Sequence, residues 1–246
     1  MSKKLLIYVG FFAVLLAGFY LLVFSDYDFS KSNLMIRNDN VQPFSFINQN
    51  GKTITQRETD GKVYVAEYFF TTCKGICPKM NANMRRVFDA FKDEPNFMIL
   101  SHTCMPETDS IPLLKAYEAR MLDGKLMRNA DGSYKIEYDT AAKPLNPIPL
   151  NSNWNFVTGD KAALYKMARQ SYGIDNGKPD STQIIQDQFI HTQFFALVDK
   201  QGRVRGMVYD GLSNDEVDNL INDIKGLLKE KIKSKHFMSG FSSEPN

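Results

Sequence analysis

The chain has 246 residues, of which 43% are hydrophobic, 12% aromatic and 24% charged, which excludes a disordered polar chain, a collagen-like repeat and a disulfide-stapled miniprotein. Thirty basic against 28 acidic residues leave a net charge of +2, too little to hold a nucleic-acid backbone. Three cysteines are too few to staple a fold, so a closely spaced pair points to chemistry.

Residues 5–24 carry no charge; at about 1.5 Å per residue they make enough helix to cross a hydrocarbon core of about 30 Å. Lys3 and Lys4 precede this run, and Asp26 and Asp28 follow it. The positive-inside preference therefore leaves residues 1–4 in the cytoplasm and exports the rest. A cleaved signal peptide is the competing reading. Its apolar core is usually shorter, and Leu22-Val23-Phe24-Ser25 offers no small-x-small cleavage site. No cysteine follows to accept a lipid, and the segment is not an Arg-rich transit peptide. The expectation is a single-pass anchor in a bacterial inner (cytoplasmic) membrane, with the globular domain on the periplasmic side.

Residues 25–42 are polar and read as a tether. One domain is expected over 43–233, followed by a polar tail, 234–246, whose His236 is given no role. Residues 44–48 and 52–55 flank Asn50-Gly51 and predict a small hairpin. Residues 63–70 are almost uninterruptedly apolar, as a strand covered on both faces requires. Pro78 suits the first turn of a helix, and Met80, Met84, Val87, Phe88 and Phe91 repeat at helical spacing behind it.

A second buried strand is predicted over 97–101, then a helix over 109–122 with Leu113, Leu114, Tyr117 and Met121 inward. The pattern breaks over about 123–153, where a hairpin around Ala130-Asp131-Gly132 and a loop with Pro144, Pro147 and Pro149 read as a peripheral insertion. A strand over 154–158, a helix over 160–172, two strands over 194–199 and 203–209 and a long helix over 214–233 complete the chain. The alternation describes an α/β sheet layered by helices.

The chemistry is expected where the first central strand meets its helix, in Thr71-Thr72-Cys73-Lys74-Gly75-Ile76-Cys77-Pro78. A spacing of four on a first helical turn puts the sulfurs of Cys73 and Cys77 on one face. A helix N-terminus lowers a thiol's pKa toward the thiolate that disulfide exchange and soft-metal binding both need. The plain alternative is two buried cysteines packing as small hydrophobes. His191 stands just ahead of an apolar strand; in such a sheet that segment can lie beside the strand-to-helix junction, or the imidazole can be a hydrogen-bonded residue at a strand entrance.

The segments F-F-T-T-C-K-G-I-C-P-K-M, W-N-F-V-T-G-D and I-H-T-Q-F-F-A-L-V-D-K-Q-G-R-V resemble those of the Sco/SenC family of copper-handling proteins, over about residues 43–229. The resemblance implies a thioredoxin-like α/β three-layer sandwich, here with an N-terminal β-hairpin extension and the inserted hairpin and loop. It implies that Cys73, Cys77 and His191 bind one copper ion, as Cu(I) or Cu(II). It also implies a role in assembling the binuclear copper centre of cytochrome c oxidase. The partners implied are the copper-bearing oxidase subunit and an upstream copper donor or thiol reductase. Two thiolates and one imidazole suit copper, and an open set of three favours transfer over a closed structural zinc site.

The alternative function is thiol-disulfide exchange by a Cys73–Cys77 redox pair on exported or oxidase cysteines; a sensor of copper or redox state is a third reading. A turnover enzyme is not expected outside that reductase activity. Thioredoxin relatives use a CxxC motif and a downstream proline, whereas this chain has a longer spacing and no proline at 189–192, which favours metal. Two departures from the family pattern stand out: Ile190 replaces an Asp before the His, leaving Asp187 as a loose substitute, and Met105 replaces the first acid of S-V-D-P-E-x-D beside an extra thiol, Cys104. Cys104 reads as a small apolar residue at a strand end; the alternative is a resolving thiol or a soft ligand with His102 and Met105. Met80 and Met84 read as core.

Overall fold

The computed structural model describes residues 3–24, 32–138, 153–175 and 192–231. The loop of Pro144, Pro147 and Pro149, together with Asp187, Ile190, His191 and His236, lies outside the described residues. The first element is α1, Lys3–Phe24, the one helix among the described residues long and apolar enough to cross a membrane; its apolar stretch buries nothing against the rest of the chain. There follow β1 (Ile36–Asn38), β2 (Ser45–Asn48), β3 (Thr53–Thr55), the one-turn α2 (Gln56–Thr59), β4 (Val63–Phe69) and α3 (Cys77–Phe91). Next come β5 (Phe97–Thr103), α4 (Ile111–Asp123), β6 (Lys125–Arg128), β7 (Tyr134–Glu137), β8 (Trp154–Thr158) and α5 (Lys161–Lys166), which runs on as a π-helical turn, Met167–Tyr172. The last elements are β9 (Phe194–Val198), β10 (Val204–Asp210) and α6 (Asn214–Lys229).

Eight strands form one sheet in the order β1-β10-β9-β4-β5-β8-β2-β3. The middle strands β4, β5 and β8 run parallel, as the helical crossovers between them demand, while β9 lies antiparallel to β4. Every residue of β4 and β5 is buried, because both sheet faces are covered. On one face Met80, Met84 and Val87 of α3, Leu114 and Tyr117 of α4 and Val217, Leu220 and Ile224 of α6 pack on Val63, Val65 and Phe69. On the other, Leu164, Met167 and Tyr172 of the α5 segment pack on Tyr64, Tyr68 and Leu100. Each such fully buried side chain contributes about 1.5–3 kcal/mol, and together they make the three-layer α/β sandwich. Leu113, expected inward, is 44% exposed; the inward stripe of α4 runs through Leu114, Tyr117 and Met121 instead.

The polar segment before residue 43 is in part a piece of the sheet and not only a tether. β1 pairs antiparallel with β10, Val41 is 2% exposed, and the Asn38 side chain donates to the Ser171 carbonyl at 2.8 Å. The ordered fold thus reaches back well before residue 43. Its polar composition hid this, because β1 is an edge strand whose side chains stay largely in water while its backbone supplies the pairing. α6 ends at Lys229, short of the expected 233.

The hairpin β6–β7 forms where the Ala130-Asp131-Gly132 turn predicts it, with Gly132 at φ 84°. It is less peripheral than expected. Ile136 packs on the core against α3, Arg86 of α3 lies over the Tyr134 ring at 4.4 Å, and Asn214 at the start of α6 donates to the Gly132 carbonyl at 2.8 Å.

Candidate metal and thiol centre

β4 delivers the chain to the end of the sheet, and the loop 70–76 leads it back into α3. Cys73 lies in that loop, where its amide donates to the Phe70 carbonyl at 3.2 Å. Cys77 is the first residue of the helix, with Pro78 behind it in the first turn. The two cysteines therefore do not share a helical turn as the spacing suggested; the chain bends at Gly75 and Ile76 instead, and both side chains pack in the same core cluster. Cys73 is half-buried and Cys77 is 4% exposed. All three cysteines are thiols.

The helix N-terminus does not lower the Cys77 pKa. Burial pushes that thiol up, and the neighbouring Cys73 thiol adds to the shift. Taking a thiolate out of water at the foot of α3 costs more than the partial charge of the helix end returns. The pair is thus asymmetric: one sulfur reachable from solvent, the other sunk in the core and holding its proton.

α3 is fixed by its own polar side chains as well as by its apolar face. Asn81 donates to the Tyr117 hydroxyl at 2.5 Å, and Asn83 donates to the Gly211 carbonyl at 2.8 Å. Met80 and Met84 have no exposure and belong to the core, as their spacing implied. The loop on the other side of Cys73 is held by Asp109, whose buried carboxylate accepts from the amide and hydroxyl of Thr71 and from the hydroxyl of Thr103.

Beneath the loop lies a group that sequence reading passed over. Glu67, in the middle of β4, has no exposure; its Oε1 accepts from Ser101 Oγ at 2.5 Å, and Ser101 in turn accepts from Trp154 Nε1 at 2.8 Å. Its Oε2 has no hydrogen-bond partner among the described residues, and burial raises its pKa to about 8. Its charge would act on Cys77. A single acid inside an otherwise apolar strand was the available signal.

Cys104 is 2% exposed and packs in the core cluster of the sheet face opposite Cys77. Its amide donates to the Phe69 carbonyl at 2.8 Å, and burial pushes its thiol up. His102 has no exposure, stacks on Tyr68 at 4.9 Å and meets Phe46 and Tyr172 edge-on. Burial lowers its pKa to about 4, so its ring is neutral. His102, Cys104 and Met105 thus form no ligand set; among the described residues no three His, Cys, Asp or Glu side chains converge as a metal site.

His191 lies outside the described residues. The chain resumes at Thr192, whose hydroxyl accepts from the Phe194 amide at 3.1 Å, and enters β9 at Phe194. β9 runs antiparallel to β4 with Ala196 opposite Ala66 and Val198 opposite Tyr64. Its first residues are therefore at the end of β4 from which the thiol loop departs.

The SCO1/SenC family model matches residues 35–134 and 149–229. The chain belongs to the SCO1/SenC family. The match pauses over 135–148, within the insertion read from sequence. A curated relative, the SCO1 protein homolog of Bacillus subtilis (strain 168), is 30% identical over 190 residues, covering 76% of this chain and 82% of the relative. The crystal structure of a SCO1/SenC family lipoprotein from Bacillus anthracis str. Ames is 26% identical with a TM-score of 0.57, covering 80% of this chain and 98% of that one. BsSco, a member of the Sco family of cytochrome c oxidase assembly proteins in which a disulfide switch was identified, is 28% identical over the same shares, with a TM-score of 0.57. Bradyrhizobium japonicum ScoI, solved with copper bound, shares the fold at 18% identity and a TM-score of 0.52, covering 77% of this chain and 99% of that one. The Sco fold is thioredoxin-like, and this chain has it.

Proposed function

We propose that this Sco protein is a membrane-anchored copper-binding metallochaperone that assists assembly of the binuclear copper centre of cytochrome c oxidase, with Cys73, Cys77 and His191 as its ligands. The observation that carries the reading is that Cys73 and Cys77 pack in one cluster at the end of β4 where the segment directly after His191 enters β9. The donor set suits the cargo: two sulfurs and an imidazole hold Cu(I) and Cu(II), and no carboxylate cluster competes for a hard cation among the described residues. Cys73 is the entry side, being half-exposed; Cys77 releases its proton when the metal arrives. The copper-bound relative and the family's place in oxidase assembly support the same cargo and acceptor. Copper titration of the full chain tests the ligand set. Cys77→Ser and His191→Ala are expected to abolish tight binding of one copper; unchanged stoichiometry and spectra in either variant would reject it.

The asymmetry of the pair favours thiol-disulfide exchange as a second reading, with Cys73 attacking a disulfide of the oxidase subunit and Cys77 resolving the mixed disulfide. Two protein thiols are then oxidised to a disulfide while the target disulfide is reduced. Rescue of oxidase activity in a deletion strain by added copper supports delivery, and rescue by a reductant supports exchange. The anchor reading places α1 across a bacterial inner membrane, N-terminus inside and the domain on the periplasmic side; α1 meets the length and composition required. Carbonate extraction with protease protection tests it.

A further inference from the structure

Cys77 is fixed by α3 and the core, so the spacing of the two sulfurs is decided on the side of Cys73, which sits in a loop. That loop is tied down at Thr71, two residues earlier. The Thr71 amide donates to Asp109 Oδ2 at 3.2 Å, and its hydroxyl donates to Oδ1 at 2.5 Å. The same carboxylate accepts from Thr103 Oγ1, the last residue of β5, at 2.5 Å. Asp109 is itself held in place: its amide donates to the Met105 carbonyl at 2.8 Å, and the Met105 amide donates to Thr103 Oγ1 at 2.9 Å. Asp109, Thr71 and Thr103 are 1%, 8% and 0% exposed. Out of water such hydrogen bonds are stronger than in solvent, and bonds that share one carboxyl group reinforce one another.

We propose that Asp109 is a positioning residue for the thiol centre: through Thr71 it sets where the Cys73 sulfur stands relative to Cys77, and thereby the redox poise of the pair and the geometry of a metal held by it. The inference rests on the reading that Cys73 and Cys77 are the working sulfurs. Disulfide formation and metal ligation both depend on sulfur placement to within about half an ångström. A clasp of three buried hydrogen bonds two residues upstream supplies that constraint where backbone bonds alone leave a loop free.

The test uses Asp109→Ala and the milder Thr71→Val, with Leu227→Ala, a cavity under the last turn of α6 at the opposite end of the sheet from the loop, as a control for general loosening. In both clasp variants the amide of Cys73 is expected to lose exchange protection. Copper affinity should fall by about 10–100-fold. The equilibrium of the pair against glutathione should move by about tenfold, or about 30 mV. Leu227→Ala should lower the melting temperature and move none of these. Wild-type affinity and poise in both clasp variants would overturn the proposal, as would equal shifts in the control. A wild-type chain with neither a copper signal nor a redox couple would overturn the functional reading beneath it, while the exchange data would still report the clasp.

Discussion

Glu67 and His102 face each other in character across neighbouring strands: a buried acid kept neutral by desolvation and a buried base kept neutral by the same cause. Their effects on stability run in opposite pH windows. The Glu67 pKa is raised from 4.5 to about 8, so its contribution to stability is complete below about pH 4.5. It is lost as the pH climbs toward 8, because the unfolded chain ionises there and the folded one does not. The His102 pKa is lowered from 6.5 to about 4, so stability is lost as the pH falls from 6.5 toward 4. Glu67→Gln keeps an oxygen for Ser101 and removes the first of these dependences. The urea midpoint at pH 8 should therefore rise relative to that at pH 5 in the variant, by the equivalent of a few kcal/mol on the order-of-magnitude scale of such shifts, because only the opposing His102 dependence remains. An unchanged difference would mean that Glu67 is ionised in the fold. The cysteine pair was legible in the sequence because its spacing and its place after an apolar strand are local properties. Glu67 and Asp109 were not legible as parts of the centre, since burial and a clasp across two loops exist only once β4 and β5 are side by side.

At the scale of elements, β4, α3, β9 and β10 were readable because each buries a face and so carries its period in its own residues. β1 and the Leu113 side of α4 were not, since pairing at a sheet edge and the rotation of a helix are settled by neighbours. The β6–β7 hairpin shows the difference between being readable and being placed. Its turn was evident, yet its lie across α3 depends on Tyr134 under Arg86 and Arg128, and on Ile136 against the core. Arg86 also pairs with Asp218 of α6, so the hairpin closes a bridge between two helices. Tyr134→Ala removes the ring from two guanidinium groups and should cost about 1–2 kcal/mol in urea unfolding. It should leave copper stoichiometry unchanged, because the hairpin touches the flank of α3 and not the thiol loop. A loss of copper binding without a loss of stability would instead make the hairpin part of the centre.

The whole molecule has two ends. At one, Arg205, only 2% exposed, gathers Asp199 at 2.8 Å, Glu230 at 3.1 Å and the Leu34 carbonyl at 3.0 Å, while the Ser32 amide donates to Glu230 at 2.7 Å. Arg205 is opposite Ile36 in β1, and the neighbouring Val204 is opposite Val198, which pairs with Tyr64 near the start of β4. The thiol loop leaves the other end of the same strand, after Phe69. Seven residues of β4 separate the two ends by roughly 20 Å or more at about 3.3 Å each. If α1 spans the membrane as proposed, only residues 25–31 join it to the Arg205 cluster, a reach of at most about 25 Å. The Arg205 cluster then keeps the root of the domain near the lipid and turns the thiols away from the bilayer. In vesicles carrying nitroxide headgroups, a fluorophore on Met207→Cys, at the 74% exposed position two residues from Arg205, should be quenched more strongly than one on Cys73. Glu230→Ala, which removes the shared partner of Ser32 and Arg205, should narrow that difference. Equal quenching at both positions in the parent chain would mean that the domain rolls freely on its connection and that the buried arginine orients nothing.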